Sequence, residues 1–268
     1  MEISPNRWRL IYSPPASGAW NMAVDEAIVE SMRPTLRLYA WQPACLSLGY
    51  AQPVQDVDRD ALTANGWDLI RRPTGGRAIL HADELTYAVA GPADDPHFRG
   101  TLLESYQRFA LALELALTRL GLTVSMNNQA VSPAVSGPIC FETPSNYEIT
   151  YEGKKIVGSA QSRRFGGILQ HGSIPLTGDL TRITRVLAYA NQALREAAAE
   201  NISRKAVTIE AALGKPVDWQ TAAEYLFKAF ADSLGIQFSE EGLTSAETER
   251  AQFLVTQKYA CSDWTERV

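Results

Sequence analysis

The stretch "DLIRRPTGGRAILHADELTYAVA", Asp68 to Ala90, limits what this chain can build more than any other. "DLIRRP" and "LTYAVA" read as strands around a glycine turn at Gly75-Gly76. "WRLIYS", "LRLYAW", "LSLGY" and "GGILQHGSIPL" are further strand candidates; the second and third are broken by Gln42-Pro43, with Gly49 at a bend. Ser17 or Gly18 can open a helix through "AWNMAVDEAIVESM", where Met22, Ala23, Ala27 and Ile28 give one apolar face. "DRDALTANGW" reads as a short helix stopped by Asn65-Gly66, and a long amphipathic helix covers roughly Leu102 to Leu120, ended by Gly121. "YEITYEGKKIVGSAQ" is a hairpin candidate turning at Glu152-Gly153. From Asp179 onward the chain is mostly helical, including "TAAEYLFKAFADSLG" with an apolar stripe of Tyr225, Leu226, Ala229 and Phe230. Strands flanked by helices without regular βαβ alternation predict an α+β fold, with no clear linker before the helical tail.

Composition removes several classes of function. With 268 residues the chain sits at the upper edge of one domain, and 46% hydrophobic residues supply an ample core. A net charge of −5 argues against broad phosphate-backbone binding, so nucleic acid is not an expected partner. No run approaches about 18 apolar residues, and no apolar h-region follows Arg7 and Arg9, so neither a membrane span nor a secretory signal is expected. Cys45, Cys140 and Cys261 are odd in number, far apart and without a CxxC pair. That excludes a disulfide framework and a thiolate zinc site, and it fits free thiols in a reducing cytoplasm. His81, His97 and His171 do not make metal spacing, so no metal is expected, and His97 beside "DDP" reads as surface.

Three segments could carry chemistry. In "RRPTGGRAILHADELTY" the glycine pair lets backbone approach a ligand, and Arg71, Arg72 and Arg77 offer planar donor forks. The segment lacks both nucleotide-loop fingerprints, and from spacing alone a solvated turn with surface arginines fits equally well. In "GKKIVGSAQ" only one of Lys154 and Lys155 can face a pocket on an alternating strand. If Lys155 points inward, its ammonium near a thiol favours the thiolate; a solvated hairpin lysine is the plain alternative. Cys140 lies in a loop-like stretch with Pro133, Gly137, Pro138 and Pro144, whereas Cys45 and Cys261 fit structural filler. Residue types alone leave Cys140 open between filler and nucleophile.

"RRPTGGRAILHADELTY", "CFETPSNYEI", "GKKIVGSAQSRR" and "ILQHGSIPL" together resemble the biotin/lipoate protein ligase superfamily. Within it they look like the single-cysteine octanoyl-[acyl carrier protein]:protein N-octanoyltransferases, over about Ala19 to Leu234. The resemblance implies mixed, largely antiparallel sheets flanked by helices, with an acyl chain in an apolar tunnel between sheets. It divides the chain into a catalytic domain at 19–234 and a helical C-terminal extension at 235–268 packed on it. It makes Cys140 the nucleophile and Lys155 the group that lowers its pKa. Arg72, Gly75, Gly76 and His81 become one wall of the acyl pocket, and Gly158, Ser159, His171 and Gly172 the other flank. The implied donor is octanoyl-acyl carrier protein and the acceptor a lipoyl domain such as glycine cleavage H protein, with no cofactor. An ATP-dependent lipoate–protein ligase shares the glycine motif and Lys155, but needs no cysteine at 140 and usually carries or recruits an accessory domain. An octanoyl amidotransferase between lipoyl domains also uses a cysteine. Acidic carriers require a local basic patch on an acidic protein, with Arg71, Arg77, Arg163 and Arg164 as candidates.

Overall fold

The computed structural model describes residues 7–127, 138–139 and 148–268. Its strands are β1 (Arg7–Tyr12), β2 (Thr35–Tyr39), β3 (Cys45–Leu48), β4 (Asp68–Arg71), β5 (Ile79–His81) and β6 (Glu84–Pro92). They continue with β7 (Ser125–Asn127), β8 (Glu148–Tyr151), β9 (Lys154–Lys155), β10 (Gly158–Arg164), β11 (Gly167–Pro175) and β12 (Gln237–Glu240). The helices are α1 (Gly18–Glu30), α2 (Arg59–Ala64), α3 (Leu102–Arg119) and α4 (Gln192–Lys205). After them come α5 (Ile209–Leu213), α6 (Trp219–Leu234), α7 (Ser245–Leu254) and α8 (Ser262–Thr265).

The main sheet runs β10-β11-β6-β2-β1-β12, and two three-stranded sheets, β4-β3-β5 and β7-β8-β9, accompany it. Pairing is antiparallel along β10-β11-β6-β2 and within β7-β8-β9, and parallel at β1-β2, β1-β12 and β3-β4. The fold is α+β with mixed, largely antiparallel sheets. Strand β5, three residues inside the glycine segment, is left out by the sequence pattern, as are β7 and β12.

Alternation along β6 sends Leu85, Tyr87 and Val89 to one core with Phe109 of α3 and Phe230 of α6. Its opposite face carries Ala88 and Ala90 into a second core with Met22 and Ile28 of α1. Phe109 and Phe230 stack with centroids 6.4 Å apart, which fixes α6 on α3. Tyr225 does not join that stripe, being 37% exposed; Ala222 and Ala223 take its place. Helix α1 likewise departs from the single apolar face expected. It is buried from Asn21 to Val29, Asp25 and Glu26 included, because it runs between the sheet and the C-terminal elements.

Each buried acid of α1 has a partner. Arg37 Nη1 donates to Asp25 Oδ1 at 2.6 Å, and Lys258 Nζ and Tyr259 Oη donate to Glu26 at 2.6 and 2.5 Å. The chain after Leu234 is not purely helical, since β12 extends the main sheet beside β1. Its later part ties back through Arg9 to Glu247 at 2.5 Å and Arg250 to Glu30 at 2.6 Å.

Candidate active site

Strands β6 and β11 are buried on both faces, yet they carry Glu84, Thr86, His171 and Ser173. Register sets His171 opposite Ala88, Gly172 opposite Tyr87 and Ser173 opposite Thr86. Buried polar residues on central strands need partners, and these find theirs around a narrow cavity of about 410 Å³, its open mouth included. The cavity lies between the main sheet and β5. Met22, Tyr39 and Trp41 form its buried inner part, and the exposed Gly76 marks its mouth.

Seven of the residues singled out as pocket walls line it: Arg72, Gly76, His81, Gly158, Ser159, His171 and Gly172. The eighth, Gly75, lines the adjoining open groove instead. Arg72 is buried and shapes the glycine turn from inside. Its Nη2 donates to the carbonyls of Gly75 at 2.8 Å and Arg77 at 2.7 Å, and its Nη1 to Ser47 O and Oγ at 3.0 Å. Gly49 lets the facing loop approach, since a Cβ there would lie 1.9 Å from Gly76 O.

His81 stacks on Trp41 with centroids 4.1 Å apart and planes at 12°. Its Nδ1 donates to Glu84 Oε1 at 2.7 Å, while Nε2 meets Ser47 Oγ at 2.8 Å. Glu84 also accepts from Thr86 Oγ1 at 2.5 Å and from Ser173 Oγ. His171 is fixed just as firmly. Burial pushes its pKa below the ordinary value, so the neutral ring donates from Nδ1 to Asp25 Oδ2 at 3.2 Å and accepts from Thr74 at 2.6 Å. Burial opposes ionisation of Asp25, but Arg37 and His171 outweigh it and hold the carboxyl below its usual range. Gly172 keeps the wall thin: a Cβ there would fall 2.6 Å from both Gly158 O and Tyr87 Cε1.

Cys140 lies outside the described residues. Ile139, the residue before it in sequence, is 1% exposed and forms a parallel bridge with Ala78. Pro138 O accepts from Ala78 N at 2.9 Å and from Gln52 Nε2 at 3.0 Å, so this point of the chain is held beside the glycine turn. Lys155 and Lys154 take opposite sides of β9, as alternation requires. Lys155 is 4% exposed and pairs with Glu148 at 2.9 Å, whereas Lys154 reaches Ser203 O on α4 at 3.2 Å. Cys45 is fully buried, and burial pushes its thiol pKa far up, as befits filler.

Sequence reading missed Glu148, Glu84, Asp25, Ser47, Thr74 and Trp41: the last four meet partners 34 to 146 positions away, whereas Glu84 and Glu148 pair locally with His81 and Lys155 but carry no motif that marks them. It also misplaced Arg71 as a surface docking group. Arg71 is 0% exposed, and its guanidinium donates to the carbonyls of Gly49, Gln52 and Thr265 at 2.8, 2.6 and 2.7 Å. His97 is half-buried rather than surface, its ring edge-on to Trp8.

The family model described as "Lipoyl protein ligase A/B catalytic domain" matches residues 17–231. The chain is 39% identical to "Octanoyltransferase LipM" of Kyrpidia tusciae, over 97% of this chain and 98% of that protein. It is 37% identical to "Octanoyltransferase LipM" of Brevibacillus brevis, over 97% and 99%. Among solved structures it is similar to the bi-partite lipoate protein ligase of Thermoplasma acidophilum. That match has a TM-score of 0.82 and 25% identity, covering 97% of this chain and 96% of that one.

Proposed function

The chain belongs to the lipoyl protein ligase A/B catalytic domain family, and we propose that it carries an octanoyl group from octanoyl-acyl carrier protein, through a thioester on Cys140, to a lysine of a lipoyl domain. It is an octanoyltransferase, the activity for which its relatives over nearly the whole chain are named. One observation supports the reading most: seven of eight motif residues converge on a narrow, largely apolar cavity whose polar groups are already bonded to protein. Such walls offer a chain of methylenes little competition from water.

In the first half-reaction the Cys140 thiolate attacks the donor carbonyl, the C–S bond to the carrier breaks and the carrier thiol leaves. Exchange between two thioesters is nearly neutral in energy, so position and thiolate fraction matter more than activation. In the second, the neutral ε-amine of the acceptor lysine attacks, the bond to Cys140 breaks, and an amide forms as the amine proton is lost. Lys155 is proposed to favour the thiolate, with Glu148 setting how much of its charge is available. It is also the candidate to relay the amine proton, giving its own proton to the departing Cys140 thiolate and taking one from the attacking amine, so that the step balances. The acceptor is a lipoyl-domain protein such as glycine cleavage H protein, and the reducing cytoplasm is the setting a free thiol needs. Among the described residues no helix is long and apolar enough to cross a membrane.

The test is intact mass after mixing with octanoyl-acyl carrier protein without ATP. One octanoyl adduct should appear, pass to an added lipoyl domain, and be absent in Cys140→Ser, while Cys45→Ala and Cys261→Ala keep it. Turnover in Cys140→Ser should fall on the order of 10⁴-fold. In a chain with Cys140 as sole cysteine, Lys155→Ala should raise the pH midpoint of alkylation by roughly one unit, and Lys154→Ala should not move it. Full activity of Cys140→Ser, or modification only from free octanoate with ATP, would refute the thioester route.

A further inference from the structure

Gly76 belongs to two cavities at once. On one side is the narrow apolar one; on the other is an open groove of about 880 Å³ between the Tyr50–Gln52 loop, the glycine turn and the far end of β10. The groove gathers guanidinium groups. Arg164 Cζ lies 3.7 Å and Arg267 Cζ 3.6 Å from the centroid of Tyr50. Two guanidinium groups cannot share one face at those distances, so the ring is held between them. Both are exposed, Arg77 stands half-buried on the rim, and Arg71 is buried beneath the loop.

Among the described residues, none of the ion pairs includes Arg71, Arg77, Arg164 or Arg267. The hydrogen bonds of the Arg71 guanidinium all go to carbonyl oxygens, which leave its charge uncancelled. Of the nearby acids, Glu266 pairs with Arg59 at 2.8 Å, and Asp56 accepts from Gln52 Nε2 at 3.0 Å and is in no ion pair with these arginines. Among the described residues, a chain with net charge −5 therefore sets four cations without an ion-pair partner where an apolar slot opens to solvent. Their mutual repulsion is relieved by an anion, and the planar forks of Arg164, Arg267 and Arg77 suit the paired oxygens of a phosphate. Arg267 Nη2 also donates to Tyr50 O at 2.9 Å, which holds it on the groove wall, whereas Arg163 Nη2 is turned away from the groove onto Thr101 O at 2.9 Å and Ser105 Oγ at 3.0 Å.

A slot for a chain, continuous with a cationic groove, fits a linear donor that is apolar at its acyl end and anionic further along. We propose that the groove holds the phosphodiester of the phosphopantetheine arm on which the donor carries its thioester, with Arg164, Arg267 and Arg77 as its partners. This rests on the transferase reading above. Octanoyl then lies toward Trp41, the thioester beside Gly76, and the arm along Tyr50.

The experiment compares three donors: octanoyl-pantetheine, octanoyl-phosphopantetheine and the intact octanoyl-acyl carrier protein. Adding the phosphate should lower KM about tenfold or more. In Arg164→Gln/Arg267→Gln that ratio should collapse toward one, and in Arg163→Gln it should persist. Equal KM with and without phosphate would overturn the proposal, as would a ratio unchanged in the double variant. So would a preference for the intact carrier alone, which would assign the arginines to its protein surface. ATP-dependent modification lost with the same two arginines would make the groove a nucleotide site and also overturn it. No transfer from any of the three donors would instead reject the transferase reading itself, a failure separable from loss of the phosphate effect alone.

Discussion

The narrow cavity and the open groove meet at Gly76 but use charge in opposite ways. Around the cavity, Arg72, His81, His171, Glu84 and Asp25 are bonded to other groups of the protein, and little is offered to a ligand except shape. Across the turn Arg164 and Arg267 are exposed and Arg77 half-buried, and among the described residues none of the three is in an ion pair. The contrast teaches that arginine content does not by itself mark a binding surface. Arg71 and Arg72 are adjacent to the turn that separates the two regions, and both serve the backbone. What distinguishes the groove set is exposure together with the lack of a carboxylate among the described residues.

Breaking the cavity side should therefore be the costlier change. Asp25→Ala strips Arg37 and Tyr39 of a shared partner inside the protein, where Tyr39 Oη donates to Asp25 Oδ2 at 2.9 Å. Leaving a buried guanidinium uncompensated costs about 3–5 kcal/mol. Denaturant unfolding should register that loss and a matching fall in Tm. A cost below about 1 kcal/mol, that of an ordinary surface change, would mean the cavity walls are not held as described.

Acid should sharpen the same contrast by a smaller amount. Buried His171 sits below its ordinary pKa of 6.5, and Asp25 below its ordinary 3.8. Each group binds more protons unfolded than folded once the pH drops beneath its unfolded value, so stability must decline as pH falls. The first decline should begin near pH 6.5, where His171 protonates in the unfolded chain but resists it in the fold; the second follows near 3.8. Unfolding measured from pH 8 to 5, a range bracketing the histidine value, should show the first step. His171→Gln should remove it. A flat profile would mean the ring is hydrated and the wall looser than its contacts indicate.

Much of this architecture was legible in the sequence because local signals and tertiary needs agreed. Ser17 caps α1 as the pattern required, and Glu152-Gly153 turns the β8-β9 hairpin with both residues at positive φ. The lysine alternation followed from strand geometry alone. The polar framework was not legible, because Asp25 meets His171 across 146 positions and Ser47 meets His81 across 34. No periodicity encodes such pairs. Burial of Asp25 and Glu26 in α1 defeated the one-face reading because their partners come from β2 and the C-terminal elements. Arg71 and Arg72 looked alike with Arg77 in sequence, and only their carbonyl partners separate structure from surface. The motif resemblance supplied what pattern could not, and seven of its eight wall residues converge on one cavity.

The smallest expected effect lies on the groove side and is the most exacting test of the comparison. Arg164 is exposed, and its contact with Tyr50 is a cation–π stack at a solvent-facing ring. Such exposed stacks contribute about 0.5–1 kcal/mol. Against that, Arg164 shares the ring with Arg267, and two like charges around one ring repel, a cost of similar size that substitution removes. Arg164→Gln should therefore change folding stability by no more than about 0.5 kcal/mol, the range of ordinary surface substitutions. Because repulsion is screened by salt, the variant should gain slightly on wild type at low ionic strength and lose that gain as salt rises. Denaturant unfolding at two salt concentrations measures both. A loss above about 1 kcal/mol at either would place Arg164 with Arg72, as a residue the fold depends on. The groove would then be another piece of architecture, and the division drawn at Gly76 would fail.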